Sequence, residues 1–191
     1  SVRVVGEIER PEAPRLVGVD GDGAIISDDG LGVRFTSAEK VGVRANLPIY
    51  GELRYFEVHH LGPSGNFGAG IVAAEGSLLP YALRNVPAST SLNLISGVWR
   101  NLVYFASYPE DEPRGVVGIA VDFRGDFPTV HYILNHRRVA SVPVPNLTTP
   151  AHPFVYGTMT EGSGPQLRIN LGDEPFVYDV EEVLAAAADP G

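Results

Sequence analysis

This chain reads as an all-β, antiparallel two-layer sandwich with one short helix near its end, and three observations carry that reading. Short β-branched and aromatic runs recur between clusters of Gly, Pro, Asn and Asp, as strands joined by tight turns require. Glycine and proline supply 22 and 16 of the 191 residues, which implies frequent turns yet stays below the roughly 25–30% of low-complexity chains. Helical character is confined to one segment.

The strands follow in order at 2–8, 31–36, 40–45, 53–61, 103–108, 116–123, 129–134, 154–160, 167–171 and 176–178, too many for one small sheet. Through 53–61 the alternation puts Leu53, Tyr55, Glu57, His59 and Leu61 on one face and Arg54, Phe56, Val58 and His60 on the other. Phe56 and Val58 are the expected core residues. The nearly unbroken apolar run at 116–121 predicts a central strand covered on both sides, with Gly115 and Gly118 arguing against a helix. The helix is expected at 180–188, capped by Asp179, with Glu181 and Glu182 in its first turn and Pro190-Gly191 as its stop. No repeat, heptad or linker divides the chain, and Pro109-Glu110-Asp111-Glu112-Pro113 is a charged loop. One domain over 1–191 is expected.

Fourteen basic against 23 acidic residues leave a net charge of −9. That balance argues against nucleic acid and anionic membrane as partners, since both select a basic face. No apolar run approaches the roughly 18 residues of a membrane span, and no charged-then-apolar start resembles an export signal. The absence of cysteine excludes disulfides and thiolate metal sites, and with the missing signal it makes a cytoplasmic protein the expectation. Oligomeric state is left open.

Five motifs in order carry a family resemblance. Gly51-Glu52-Leu53-Arg54-Tyr55-Phe56-Glu57-Val58 is similar to an early SPRY strand in which a glycine precedes Tyr-Phe-Glu-Val. Gly68-Ala69-Gly70-Ile71-Val72 corresponds to the glycine-rich strand after it, and Val116-Val117-Gly118-Ile119-Ala120-Val121-Asp122 to a Val-Gly-aliphatic strand ending in Asp. Val130-His131-Tyr132-Ile133-Leu134-Asn135-His136 resembles the aromatic strand that ends in Asn-Gly. Phe154-Val155-Tyr156 and then Leu167-Arg168-Ile169-Asn170-Leu171-Gly172-Asp173-Glu174-Pro175-Phe176 look like the closing strands. The resemblance spans 41–178, with 1–40 as additional strands ahead of it. His136 stands at the turn glycine and Leu171 replaces the aromatic of Asn-Phe-Gly, as in a divergent member. The resemblance implies a bent, concanavalin-like jelly roll of two sheets whose inter-strand loops bind a protein or peptide, without catalysis or cofactor. Such loops vary at little cost to the core.

Other constellations have bland readings. Gly62-Pro63-Ser64-Gly65-Asn66-Phe67-Gly68-Ala69-Gly70 fits a dinucleotide pattern only in spacing, because no helix follows it, and is read as a hairpin loop. Asp20, Asp22, Asp28 and Asp29 fail calcium-loop spacing at Ala24 and Leu31 and read as surface turns. His59 and His60 point to opposite faces, and His131, His136 and His152 are scattered, so no metal site is expected. No nucleophile motif is present. Glu57 and Asp122 are read as ion-paired or solvated at an edge rather than as a glycosidase pair. Asn146-Leu147-Thr148 matches a glycosylation sequon by chance.

Tyr81, Arg84, Trp99, Arg100 and Tyr108, with Tyr104 nearby, form the most binding-like cluster, because aromatic and arginine side chains give large contact area for little entropy. Trp99 and Tyr104 suit a core equally well. The expected function is therefore a non-catalytic protein-interaction module that uses these five residues. A carbohydrate-binding sandwich is the alternative, and a two-carboxylate glycoside hydrolase stands behind it.

Overall fold

The computed structural model describes residues 12–17, 23–63, 66–73, 90–93, 97–100, 103–106, 115–145, 147, 150–159, 162 and 164–186. Among them the strands are β1 (Leu16–Val17), β2 (Ala24–Ile26), β3 (Gly32–Phe35), β4 (Val41–Ala45), β5 (Leu53–Gly62), β6 (Asn66–Ala73), β7 (Thr90–Asn93), β8 (Gly97–Arg100), β9 (Val103–Ala106), β10 (Val116–Asp122), β11 (Thr129–Leu134), β12 (Arg137–Pro143), β13 (Ala151–Thr158) and β14 (Gln166–Asn170), followed by helix α1 (Val180–Ala185). They form two antiparallel sheets, ordered β1-β4-β13-β6-β7-β8-β9 and β12-β11-β10-β5-β14-β3-β2.

One apolar core lies between the sheets. Phe56 and Val58 of β5, Val117, Ile119 and Val121 of β10, and Val130, Tyr132 and Leu134 of β11 face Phe67, Ala69 and Ile71 of β6 and Val43 and Val155 of the opposite sheet. The period-two alternation through 53–61 predicts Phe56 and Val58, and burying this whole set supplies the driving force for stacking the layers. β10 is central, paired with β5 on one side and β11 on the other, and buried through most of its length.

Four expectations change. Asn66–Ala73 is a strand, as the resemblance implies for 68–72, so the loop expected over 62–70 shrinks to its first residues. Its glycines serve packing: Gly68 pairs with Tyr156 across the ladder, and a Cβ there would lie 2.3 Å from the tyrosine ring. Residues 176–178 form no strand, because they run over the outer face of the second sheet outside any ladder. α1 ends at Ala185, three residues early, since Ala186 turns extended at φ −65 and ψ 138. Alanine propensity favours continuing, but a helix this short depends on tertiary packing, and its only buried residue is Val183. Glu57, expected in an ion pair or solvated at an edge, is fully buried, with His59 Nε2 3.2 Å from its carboxylate. The strand expected at 2–8 lies outside the described residues. Asp179 caps α1 as expected, accepting from the Glu182 amide at 3.1 Å.

Candidate functional site

Strand directions sort the connections to two ends of the sandwich. The β2–β3, β4–β5, β10–β11 and β12–β13 connections share one end, and β6 finishes there, since Ala73 pairs with Ala151 at the start of β13. Main-chain hydrogen bonds hold this rim in shape. The Phe123 amide donates to the Glu52 carbonyl at 2.8 Å, Val144 to Pro128 at 2.7 Å, and Ile49 to Ala151 at 2.7 Å. Arg54 Nε donates to the Tyr50 carbonyl, and Thr129 Oγ1 to the Phe127 carbonyl at 3.3 Å. On these pinned loops Tyr50 is 63% exposed and Phe127 54% exposed. Single exposed apolar residues are ordinary; two large rings on one braced rim give a binder rigid contact area at low entropic cost.

The rim also carries ordered charge. Asp29 accepts from the Ser27 hydroxyl at 2.6 Å and the Leu31 amide at 3.0 Å, and pairs with Arg168 at 2.8 Å. These donors, Ser27 foremost, hold its carboxyl at about 2. Arg124 grips both oxygens of Asp122 at 3.0 Å and thereby lowers the Asp122 pKa. Asp122 is thus ion-paired, as the sequence predicts.

A second cluster sits on the outer face of the second sheet. Glu57 accepts from the Tyr55 hydroxyl at 2.7 Å and from the Val177 and Tyr178 amides at 2.9 Å each, with His59 Nε2 3.2 Å away. Burial first, and then the neighbouring carboxylate, push the Tyr55 phenol far above its ordinary pKa. Tyr178 lends its hydroxyl to the Val116 carbonyl at 2.9 Å and takes the Asn135 amide at 3.0 Å. Every donor here ends on a protein acceptor, so the cluster is a structural clasp. Period-two alternation alone puts Glu57 on a solvent face; the signal that could have found it is Tyr55, Glu57 and His59 sharing that face with an aromatic Phe176-Val177-Tyr178 segment in reach.

Ser141, His131 and Asp122 form a row that has the composition of a nucleophilic triad. His131 Nδ1 lies 2.7 Å from Ser141 Oγ, and its Nε2 lies 4.0 Å from Asp122. Burial depresses the His131 pKa. The row departs from catalytic geometry, since Asp122 is committed to Arg124 and stands beyond hydrogen-bond reach of the imidazole. His59 and His60 diverge as predicted: His60 leaves Glu57's side to contact the Phe67 ring and the Pro63 carbonyl. Among the described residues no three His, Asp or Glu side chains gather as metal ligands, and no helix is long and apolar enough to cross a membrane.

Of the residues expected to bind, Trp99 and Arg100 lie on β8, second from the sheet edge, with Trp99 in register with Ser91 and Tyr104 and Arg100 with Thr90 and Val103. Arg100 closes β8 at the rim end. Tyr81, Arg84 and Tyr108 lie outside the described residues, as do Asp20, Asp22 and Asn146. The connection holding Tyr81 and Arg84 leaves β6 and rejoins at β7 on the rim side, whereas β9 ends and β10 begins at the opposite end. Tyr50 and Phe127 were not singled out from sequence; each follows or precedes a turn and lacks any periodic context.

With this geometry in place, comparison with known proteins is informative in one direction only. No protein-family model matches the sequence, and no curated protein does. Solved structures match well. A human SPRY domain superimposes with a TM-score of 0.63 at 20% identity, covering 80% of this chain and 98% of that one. The TRIM65 PSpry domain gives 0.61 at 12% identity, over 83% and 90%, and the SPRY domain of human HERC1 gives 0.59 at 11% identity, over 80% and 94%. The class is therefore a two-sheet antiparallel sandwich of jelly-roll type. Within that class the chain has the SPRY-like fold, in a strongly divergent sequence.

Proposed function

We propose that this chain is a non-catalytic protein-interaction module that grips a peptide segment or protein surface with the rim formed by the β4–β5, β10–β11 and β12–β13 connections. The observation that carries it is the pair of exposed rings, Tyr50 and Phe127, on loops braced by main-chain hydrogen bonds. SPRY-type sandwiches generally act as interaction modules, which supports the same use here, although likeness of fold alone does not transfer a partner. Tyr81, Arg84, Trp99 and Arg100 belong to the same proposed surface, on connections or strand ends that meet the rim. Tyr108 follows a strand that ends on the far side and is proposed as a separate contact. The net charge of −9 favours protein partners over nucleic acid, and a cytoplasmic setting is part of the proposal.

Selection from a displayed peptide library on the wild-type chain tests this. Enriched peptides are expected to lose at least about tenfold in affinity for the Tyr50→Ala/Phe127→Ala variant, as two hot-spot rings would predict, while its unfolding midpoint stays put. Enriched peptides that bind the variant equally would remove the rim from the interface. A glycan array in parallel addresses the carbohydrate reading, because exposed rings also stack on sugars; binding there with no peptide enrichment would replace the proposal.

A further inference from the structure

We infer that residues 172–186 form a strap that opens as one unit from the outer face of the second sheet while the sandwich stays folded. Its attachment differs in kind from every strand contact. Among the described residues, no backbone-to-backbone hydrogen bond joins the strap to a sheet; its main-chain bonds are internal to α1, from Val183 to Asp179 and from Ala186 to Glu182. Side chains hold it instead. Glu57 takes the Val177 and Tyr178 amides, Tyr178 reaches the Val116 carbonyl and the Asn135 amide, and Asn170 shapes the turn by accepting from Gly172 and Glu174 and donating to the Glu174 and Pro175 carbonyls.

The strap also has its own small apolar cluster. Tyr178 and Val183 pack on Ile133, with Tyr55, Val116 and Val180 around them, apart from the main core between the sheets. The edge of Phe176 meets the Tyr55 ring at 4.7 Å and His136 meets Tyr178 at 4.9 Å. Most of the strap's other residues, from Gly172 to Val177, face solvent. Opening therefore breaks a few side-chain contacts, leaves every ladder intact, and returns water to a carboxylate that otherwise needs three donors to tolerate burial. Such a unit is where partial opening should fall below global unfolding in free energy. Glu57 is the catch.

Native-state hydrogen exchange on the full chain reads this directly. The Val177, Tyr178 and Asn135 amides, each closed by a clasp hydrogen bond, should share one rate and one denaturant dependence. They should exchange at least about a hundredfold faster than Val58, Ile119 and Tyr132 in the sheets, yet remain slower than free peptide. Glu57→Gln should speed the Val177 and Tyr178 amides about tenfold further, the loss of roughly one charged acceptor, and speed the sheet amides by no more than that factor, so that the gap between strap and sheet persists. If Glu57→Gln does not fold, Tyr178→Phe carries the same test through the Asn135 amide. Strap and sheet amides that exchange together in the wild type, strap amides that neither variant accelerates, or strap amides with no protection at all would overturn the inference.

Discussion

The rim and the strap are both non-strand segments laced onto the same sandwich, yet they dispose of their aromatic residues in opposite ways. On the rim, main-chain bonds and short local side-chain bonds satisfy the backbone, and the rings of Tyr50 and Phe127 stand in solvent. On the strap, backbone amides need a partner from the sheet. Glu57 supplies it, Tyr178 is buried beside His136, and the exposed Phe176 lies against the Tyr55 ring. The difference teaches where to look for function in such a fold: exposed rings on self-sufficient loops are free to bind, whereas rings over a side-chain clasp are spent on holding the chain together.

The sharpest way to break this contrast is Glu57→Ala, which deprives two amides and a half-buried phenol of their acceptor. The expected loss is about 3 kcal/mol, measured by urea unfolding followed through the single tryptophan. A loss within about 0.5 kcal/mol would mean that water replaces the carboxylate and the clasp is ornamental.

The β11–β12 turn gives the next effect. Asn135 and His136 both have positive φ, at 48° and 61°, the pattern of a two-residue hairpin turn that normally recruits glycine at the second position. His136 compensates through its ring contact with Tyr178. A double-mutant cycle of His136→Gly and Tyr178→Leu should therefore show a coupling of about 0.5–1 kcal/mol; additivity would show that the turn residue is independent of the strap.

On the rim, acid should act locally. Asp29 titrates at about 2 in the folded chain against an ordinary 3.8, so its contribution is complete above the ordinary value and is lost as pH falls from 3.8 toward 2. Carboxyl-carbon NMR should show that depressed titration. Arg168→Gln should raise it only part of the way, because Ser27 and Leu31 still donate. An Asp29 titration near 3.8 in the wild type would mean that the loop is not held in this form.

The smallest expected effect is the most informative for function. Tyr50→Ala and Phe127→Ala should each change stability by less than about 0.5 kcal/mol, read from the same urea transitions. A larger cost would show that the rings pack, and would take away the reason for assigning them to a partner.

Much of the architecture was legible because period-two burial is written locally. Phe56 and Val58 on β5, and the apolar run of β10, name their own faces, and the order of motifs from Gly51 to Phe176 was enough to suggest the fold that the solved structures share. The short strands β1, β2, β7 and β8 were not legible. With two to four residues each, they hold too few alternations to rise above turn composition, and neighbours in the sheet make them strands. The proposed binding residues were legible as types only. Arginine and aromatics near residue 100 drew attention, while Tyr50 and Phe127 acquire meaning from the end of the sandwich they share.

The amino-acid order by itself determined that this chain builds two stacked antiparallel layers, because alternation along a strand depends on nearest neighbours and survives without knowledge of the fold. Only tertiary structure decided that Glu57, on the nominally wet face of β5, would be buried and would fasten residues 177 and 178. A carboxylate's environment is set by segments that lie 120 residues away in sequence, and no local pattern reports on that distance.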